Sequence, residues 1–108
     1  MYNYKAKIIK VYDGDTVTAE IDLGFKIVFT EKIRLYGINA PELKGIERTK
    51  GLVSRDRLRE LILGKEVNII TLKDKKGKYG RYIATIFLDN KNINELLVKE
   101  GLAIHKKY

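Results

Sequence analysis

The segment VYDGDTVTAEIDL, residues 11–23, predicts a β-hairpin at the start of a β-sheet. Asp13-Gly14 is a dipeptide typical of tight turns between antiparallel strands. Apolar residues then recur at every second position: Val17, Ala19, Ile21 and Leu23. This alternation predicts a strand with one buried face. The preceding segment YKAKIIKVY alternates less regularly, with lysines among apolar neighbours, and is the expected partner strand.

A third strand and a helix are predicted next. FKIVFTEKIRLY follows Gly24 and is rich in β-branched and aromatic residues, which favour strands. Pro41 interrupts this pattern, and APELKGIERTKG is expected to be a loop. LVSRDRLRELIL then carries Leu58, Leu61 and Ile62 at helical spacing, which predicts a helix that stops at Gly64.

The last third of the chain predicts two more strands and a short helix. EVNIITLK and RYIATIFL have strand composition, and the basic segment DKKGKYG between them is a predicted turn. Asn92 is a predicted helix cap with Glu95 three residues later, as in a capping box. The buried stripe of this helix is Ile93, Leu96 and Leu97, and Gly101 ends it.

The predicted order β-β-β-α-β-β-α indicates a mainly β, α+β fold. It matches the OB-fold, a five-stranded Greek-key barrel, here with two flanking helices. The 108 residues suit one domain spanning residues 1–108. OB-folds often bind oligonucleotides, but the fold alone does not fix the function.

Composition narrows the classes of function. Lys and Arg number 22 against 14 Asp and Glu, a net charge of +8 that favours polyanionic partners, nucleic acid first and an anionic membrane surface second. The absence of cysteine excludes disulfides and thiolate metal sites. His105 is the only histidine, which excludes a multi-histidine zinc site and is expected to be a surface residue. No segment resembles a signal peptide or a membrane span, so we expect an intracellular protein or a trimmed secreted form.

Four short features stand out: Asp13-Gly14-Asp15, Arg34, the NAPE segment at residues 39–42, and the KYGR segment at residues 78–81. Each alone also fits a plain turn, loop or surface charge, and short motifs often match by chance. A calcium loop of the EF-hand type fails, because Val17 and Gly24 stand where oxygen ligands are needed. No phosphate-binding P-loop sequence is present.

Together the four features fit phosphodiester cleavage. Asp13, Asp15 and Asn39 offer hard oxygen ligands for a divalent cation that stabilises charge on phosphorus. Two arginines, Arg34 and Arg81, can clamp phosphoryl oxygens in a bidentate manner. A carboxylate beside the metal can then orient or deprotonate water, and Glu42 is the candidate.

Four segments, in this order and spacing, resemble the staphylococcal nuclease (thermonuclease) family: VYDGDTV, IRLYGINAPE, KYGRYIATIF and NINELLVKEGLA. The likeness runs from about Lys7 to Ala103. It implies an OB-fold barrel and calcium-dependent hydrolysis of DNA and RNA that leaves 3′-phosphates. We expect little sequence preference.

The resemblance also implies roles for individual residues. The implied calcium ligands are Asp15 directly, Asp13 through water, Asn39, and the backbone carbonyl of Ala40. The implied catalytic residues are Arg34, Arg81 and Glu42. Lys78 and Tyr79 match residues that contact a terminal phosphate of bound nucleotide.

Three departures from the family pattern bear on these roles. Asn39 stands where a second calcium-binding aspartate is expected, which predicts weaker calcium binding because one negative charge is missing. Members of the family have two tyrosines after the second helix that flank the nucleotide base. Here Tyr108 is the one residue that could take that role, and it lies one position out of register with the family pattern. No third, C-terminal helix follows, so we expect that a homodimer could cover the barrel face left open.

Two other functions stay open at this stage. One is a non-catalytic OB-fold module that binds nucleic acid, and the other is a structural or protein-interaction barrel. Retention of Arg34, Glu42 and Arg81 favours the enzyme, because a pure binding module does not need a carboxylate near phosphate, where it repels.

Overall fold

The computed structural model describes residues 2–76 and 82–106. Within these ranges the longer strands are β1 (Tyr2–Asp13), β2 (Thr16–Asp22), β3 (Val28–Leu35), β5 (Glu66–Lys76) and β6 (Tyr82–Leu88). Three two-residue strands are β4 (Ile38–Asn39), β7 (Lys91–Asn92) and β8 (Ile104–His105). The helices are a short 3₁₀ helix (Gly45–Glu47), α1 (Arg48–Ile62) and α2 (Ile93–Lys99).

The five longer strands form a closed barrel. They are hydrogen-bonded in the order β3-β2-β1-β5-β6, and β3 pairs with β6 in parallel to close it, with Arg34 opposite Ile83. The predicted five-stranded OB-fold with two helices is therefore confirmed. No helix in the described ranges is long and apolar enough to cross a membrane.

The barrel core follows the predicted alternation along β2. Val17, Ala19 and Ile21 are buried, whereas Leu23 is 43% exposed because β2 ends at Asp22. From the helices, Leu58 and Ile62 of α1 are fully buried against the barrel. The apolar face of each element thus points into one cluster, as the hydrophobic effect requires.

Two predicted boundaries are wrong. The third strand begins at Val28 and not at Phe25, because Phe25 and Lys26 adopt positive φ angles of 53° and 62° that no strand accepts. Helix α1 begins at Arg48, so only residues 40–44 of the predicted loop precede helical structure. Gly51, the last residue of the predicted loop, lies buried inside the helix.

Helix α2 confirms most of its prediction. The Asn92 side chain accepts a hydrogen bond from the Glu95 backbone N–H at 3.0 Å, as a cap should. Ile93 and Leu97 are buried, and Leu96 is partly buried. The carboxylate of Glu95 contacts Nε2 of the exposed His105 at 2.9 Å, which joins α2 to β8.

Asn94, which the sequence did not single out, joins α2 to the closing strands of the barrel. Its side-chain Oδ1 accepts a hydrogen bond from Ile86 N–H at 3.1 Å. Its Nδ2 donates to the carbonyls of Tyr36 at 2.9 Å and Ala84 at 3.3 Å. Asn94 is 2% exposed, so water cannot replace these bonds.

We expect Asn94→Ala to lower the free energy of unfolding by about 3 kcal/mol, because it removes three hydrogen bonds, among them the bond from the Asn94 side chain to the buried Ile86 N–H. Urea denaturation followed by far-ultraviolet circular dichroism measures this. The matched control is Asn68→Ala on the exposed side of β5, which we expect to change stability by less than about 0.5 kcal/mol. Equal effects of the two substitutions would contradict the role of Asn94.

Candidate active site

The hairpin between β1 and β2 presents the first two carboxylates. Asp13 pairs with Thr16, so Gly14 and Asp15 form the turn, one residue later than the predicted Asp13-Gly14. The Asp13 side chain accepts a hydrogen bond from the Asp15 backbone N–H at 2.9 Å. This local bond is characteristic of aspartate in turns, and it fixes the two carboxyl groups beside each other.

Gly14 is required at this turn by close packing. Its φ lies outside the left-handed region that favours glycine. A methyl group on Gly14 would overlap the Oγ of Ser54 in α1 and lie 2.6 Å from the Cβ of Ala40. The Asp-Gly signal therefore located the turn to within one residue, but the glycine is there so that the turn can contact the helix.

The loop after β4 also packs closely against α1, at Gly51. A methyl group on Gly51 would overlap the carbonyl oxygen of Glu42 and lie 2.8 Å from its carbonyl carbon. The backbone of Pro41 and Glu42 therefore lies directly on α1. The Glu42 side chain remains exposed at this position.

Helix α1 thus positions both the turn and the loop. Ser54 is fully buried between them, and its hydroxyl has no hydrogen-bond partner among the described residues. Arg59 donates from Nε and Nη2 to the Val11 carbonyl, at 3.3 and 3.1 Å, where β1 bulges before the turn. The sequence analysis missed these residues. Gly51 and Ser54 lie at helical spacing before Leu58 and Ile62, and this spacing could have indicated that small residues continue the buried face of α1.

Arg34 connects the turn to β4. Its Nη2 donates to the Asn39 Oδ1 at 2.6 Å, and its Nη1 lies 3.3 Å from the Asp15 Oδ2. Nη1 also donates to the carbonyl of Leu35 at 3.2 Å. The residue is only 7% exposed, so the guanidinium is held in one orientation by these partners.

Both carboxylates of the turn sit in a crowded, partly buried environment. Asp15 Oδ2 accepts from the Ala40 backbone N–H at 2.8 Å, and Oδ1 accepts from the Thr16 hydroxyl at 3.2 Å. Burial, followed by the neighbouring Asp15 carboxylate, raises the pKa of Asp13 to about 6. The Asp13 carboxylate is thus harder to ionise than a free aspartate, chiefly because it is partly buried.

One cavity of about 540 Å³ brings the predicted residues together. Its lining includes Asp13, Asp15, Arg34, Asn39, Ala40 and Glu42. The opposite wall is the segment 101–104, which reaches the cavity because Asn39 pairs with Ile104. Lys50 and Lys106 also line it and add positive charge, which the sequence analysis did not anticipate.

The oxygen donors of this cavity fit a hard divalent cation. Asp13 and Asp15 supply carboxylates and Asn39 supplies an amide oxygen, the ligand types that calcium and magnesium prefer. A carboxylate oxygen has further lone pairs beyond the single hydrogen bonds described above. The set is poor in charge, however, since residues 2–76 and 82–106 contain no cluster of three or more His, Cys, Asp or Glu suited to a metal ion.

Four predicted site residues lie outside the described residues: Lys78, Tyr79, Arg81 and Tyr108. The second arginine of the clamp and the predicted nucleotide contacts therefore stay predictions.

The match to a family model decides the relationship of this chain to known proteins. Residues 32–108 match the model described as staphylococcal nuclease homologue. The chain belongs to the staphylococcal nuclease family. The family predicted from the four motifs is therefore confirmed. Residues of the first two motifs and the end of the fourth line the cavity.

Curated relatives match this staphylococcal nuclease homologue over most of the chain. It is 33% identical over 103 residues to an uncharacterized endonuclease of Haemophilus influenzae, covering 94% of this chain and 53% of the relative. It is 31% identical over 105 residues to the thermonuclease of Staphylococcus hyicus, covering 94% and 59%. A probable staphylococcal-like nuclease of Oryza sativa subsp. japonica is 41% identical over 104 residues, covering 87% and 26%. The chain thus spans little more than half the length of the two bacterial relatives.

We expect Gly51→Ala to lower the free energy of unfolding by about 1–3 kcal/mol, because the methyl group must displace the Glu42 backbone. The sign of the change in the free energy of unfolding distinguishes the two cases. Without the contact, alanine in place of glycine inside a helix would stabilise the protein by about 1 kcal/mol. Thr49→Ala, on the exposed side of α1, is the matched control and should be neutral or slightly stabilising. A more stable Gly51→Ala protein in urea denaturation would show that the loop does not rest on the helix.

Proposed function

We propose that this chain is a metal-dependent nuclease. It hydrolyses phosphodiester bonds in DNA, RNA or both with little sequence preference and leaves 3′-phosphate ends. The observation that carries the proposal is the cluster of Arg34, Asp15 and Asn39, with Glu42 in the same cavity. The names of the relatives, thermonuclease and endonuclease, support it.

Calcium is the proposed metal. Its ligands are Asp15 directly, Asn39, the Ala40 carbonyl, and Asp13 through water. When bound, the ion supplies positive charge that stabilises the oxygens of the reacting phosphate. The carboxylates of Asp13 and Asp15 and the amide oxygen of Asn39, which line one cavity, support a cation at this position.

Arg34 is the proposed clamp on the phosphate. A guanidinium has five N–H donors, and the contacts with Asn39, Asp15 and Leu35 leave some of them for a phosphoryl oxygen. Because those contacts fix its plane before substrate arrives, little reorganisation is needed as charge develops in the transition state. Arg81 is the proposed second arm of the clamp.

Glu42 is the proposed group that orients or deprotonates the attacking water. Its exposed side chain extends from a loop whose backbone rests on Gly51, so it can reach solvent water from a fixed position. Lys78, Tyr79 and Tyr108 are the proposed contacts to the bound nucleotide. We further propose that residues 1–108 act as one domain.

Incubation with single-stranded DNA tests the proposal. We expect cleavage with calcium and none with chelator, from neutral to alkaline pH, and 3′-phosphate on the products by end analysis. Arg34→Ala, Glu42→Gln and Arg81→Ala should each lower kcat by about 100-fold or more, because each removes a group that stabilises the transition state. Circular dichroism confirms that each variant is folded.

Matched controls are Arg57→Ala and Glu60→Gln, which lie on α1 in an exposed ion pair with each other. Both should cleave DNA at the native rate. The absence of calcium-dependent cleavage by the native protein at every pH in this range would overturn the proposal. Tight, salt-sensitive binding without turnover would instead establish the non-catalytic binding module.

We expect Asn39→Asp to tighten calcium binding, because it restores a negative charge among the proposed ligands. Isothermal titration calorimetry with calcium alone measures this without any reaction. Asn68→Asp introduces the same charge at an exposed position of β5 and serves as the control. An unchanged calcium affinity in Asn39→Asp would remove residue 39 from the metal site.

A further inference from the structure

We infer that the outer face of the barrel beside the cavity holds a second phosphate-binding site, formed by Lys10 and Lys32 around Tyr12. It would bind the sugar–phosphate backbone of the same nucleic-acid strand that enters the cavity. The inference rests on the proposed function, which it extends from the cleaved bond to the neighbouring part of the substrate.

Strand register places the two lysines in one row. Lys10 of β1 pairs with Thr18 of β2, and Thr18 pairs with Lys32 of β3. The flanking residues Val17 and Ile33 are fully buried in the barrel, so Thr18 and Lys32 point to the outer face. The lysines therefore lie on the same side of the sheet, on either side of one threonine.

Tyr12 holds the row together. Its hydroxyl is hydrogen-bonded to the Thr18 Oγ1 at 2.9 Å, which fixes the partly buried ring over the centre of the row. The Nζ of Lys32 lies 4.9 Å from the ring centroid, and the Nζ of Lys10 lies 5.6 Å from it. Both distances suit cation–π contact. Two positive charges are thus gathered at a single ring, where they favour an anion between them.

Neither Lys10 nor Lys32 forms an ion pair with a residue in the described part of the chain. The ion pairs among residues 2–76 and 82–106 engage arginines and His105. The nearest acidic residue in sequence, Glu31, accepts a hydrogen bond from the Lys32 backbone N–H at 2.9 Å. Glu20 belongs to the next row of the sheet, opposite Lys7.

The pair is continuous with the cavity. Lys32 precedes Arg34 by two residues on β3, so both start from the same face of the strand, about 7 Å apart. Tyr12 adjoins Asp13, which lines the cavity. A phosphodiester strand has repeating negative charges, and one held at Arg34 would carry a neighbouring phosphate towards the lysine pair.

The test measures binding in chelator, so that no cleavage occurs, with a dinucleotide and a dodecanucleotide of single-stranded DNA as probes. We expect the Lys10→Gln/Lys32→Gln variant to bind the dodecanucleotide more weakly. The slope of log K against log salt concentration should flatten by about 0.7 for each phosphate that the variant no longer neutralises. The dinucleotide, without terminal phosphates, has a single phosphate that cannot lie at Arg34 and at the lysine pair at once, so its affinity should not change.

Two further variants separate the site from net charge. Lys91→Gln/Lys99→Gln makes the same charge change at exposed positions between the helices and should leave both affinities unchanged. Tyr12→Leu keeps both lysines but removes the ring. We expect it to weaken dodecanucleotide binding roughly two- to five-fold, as for exposed cation–π contacts.

Equal weakening by the two lysine double variants would overturn the inference, because net charge would then explain the effect. An unchanged salt slope in Lys10→Gln/Lys32→Gln, or no dodecanucleotide binding by the native protein, would overturn it as well. Failure of the proposed nuclease activity is a separate result, since it is measured as cleavage with calcium and does not enter this binding assay.

Discussion

The close contact between helix α1 and two backbone segments is the constraint on which the candidate site depends. At Gly14 and Gly51 the turn and the loop approach the helix so closely that neither position has room for a side chain. Because interiors of proteins are close-packed, a displacement of the helix would be transmitted to both segments. The relative positions of Asp15, on the turn, and Glu42, on the loop, are therefore set by the packing of a helix whose side chains carry no proposed chemistry.

Arg34 is the charged residue that links the parts of the candidate site. Arg34 contacts Asp15 and Asn39 together, so it joins the turn to β4 through side chains as α1 does through packing. An asparagine at residue 39 accepts this hydrogen bond without neutralising the guanidinium. Under the proposed function, and compared with an aspartate at residue 39, the asparagine leaves more positive charge on Arg34 for the phosphate and gives the proposed metal site one negative charge fewer.

Basic residues lie both in the cavity and on the neighbouring face of the barrel. Lys50 and Lys106 line the cavity itself, and the inferred lysine pair at Tyr12 lies one row away along β3. Under the proposed function these lysines would contact the phosphates on either side of the reacting one, while the carboxylates that line the same cavity serve the metal and the attacking water.

Local patterns of residues were enough to predict the order of the longer elements, the β1–β2 hairpin, the cap at Asn92 and the family, because each depends on neighbouring residues or on short motifs. The pairing of β3 with β6 and the contacts of Arg34 with Asn39 and Asp15 could not be predicted in this way, because they join distant parts of the chain. The folded chain also places Gly51 in a helix, although the segment 40–51 had been predicted to be a loop. The reason is physical: local patterns report backbone preference and periodicity, whereas the partner of a buried polar group or a close-packed glycine is supplied by residues distant in the chain.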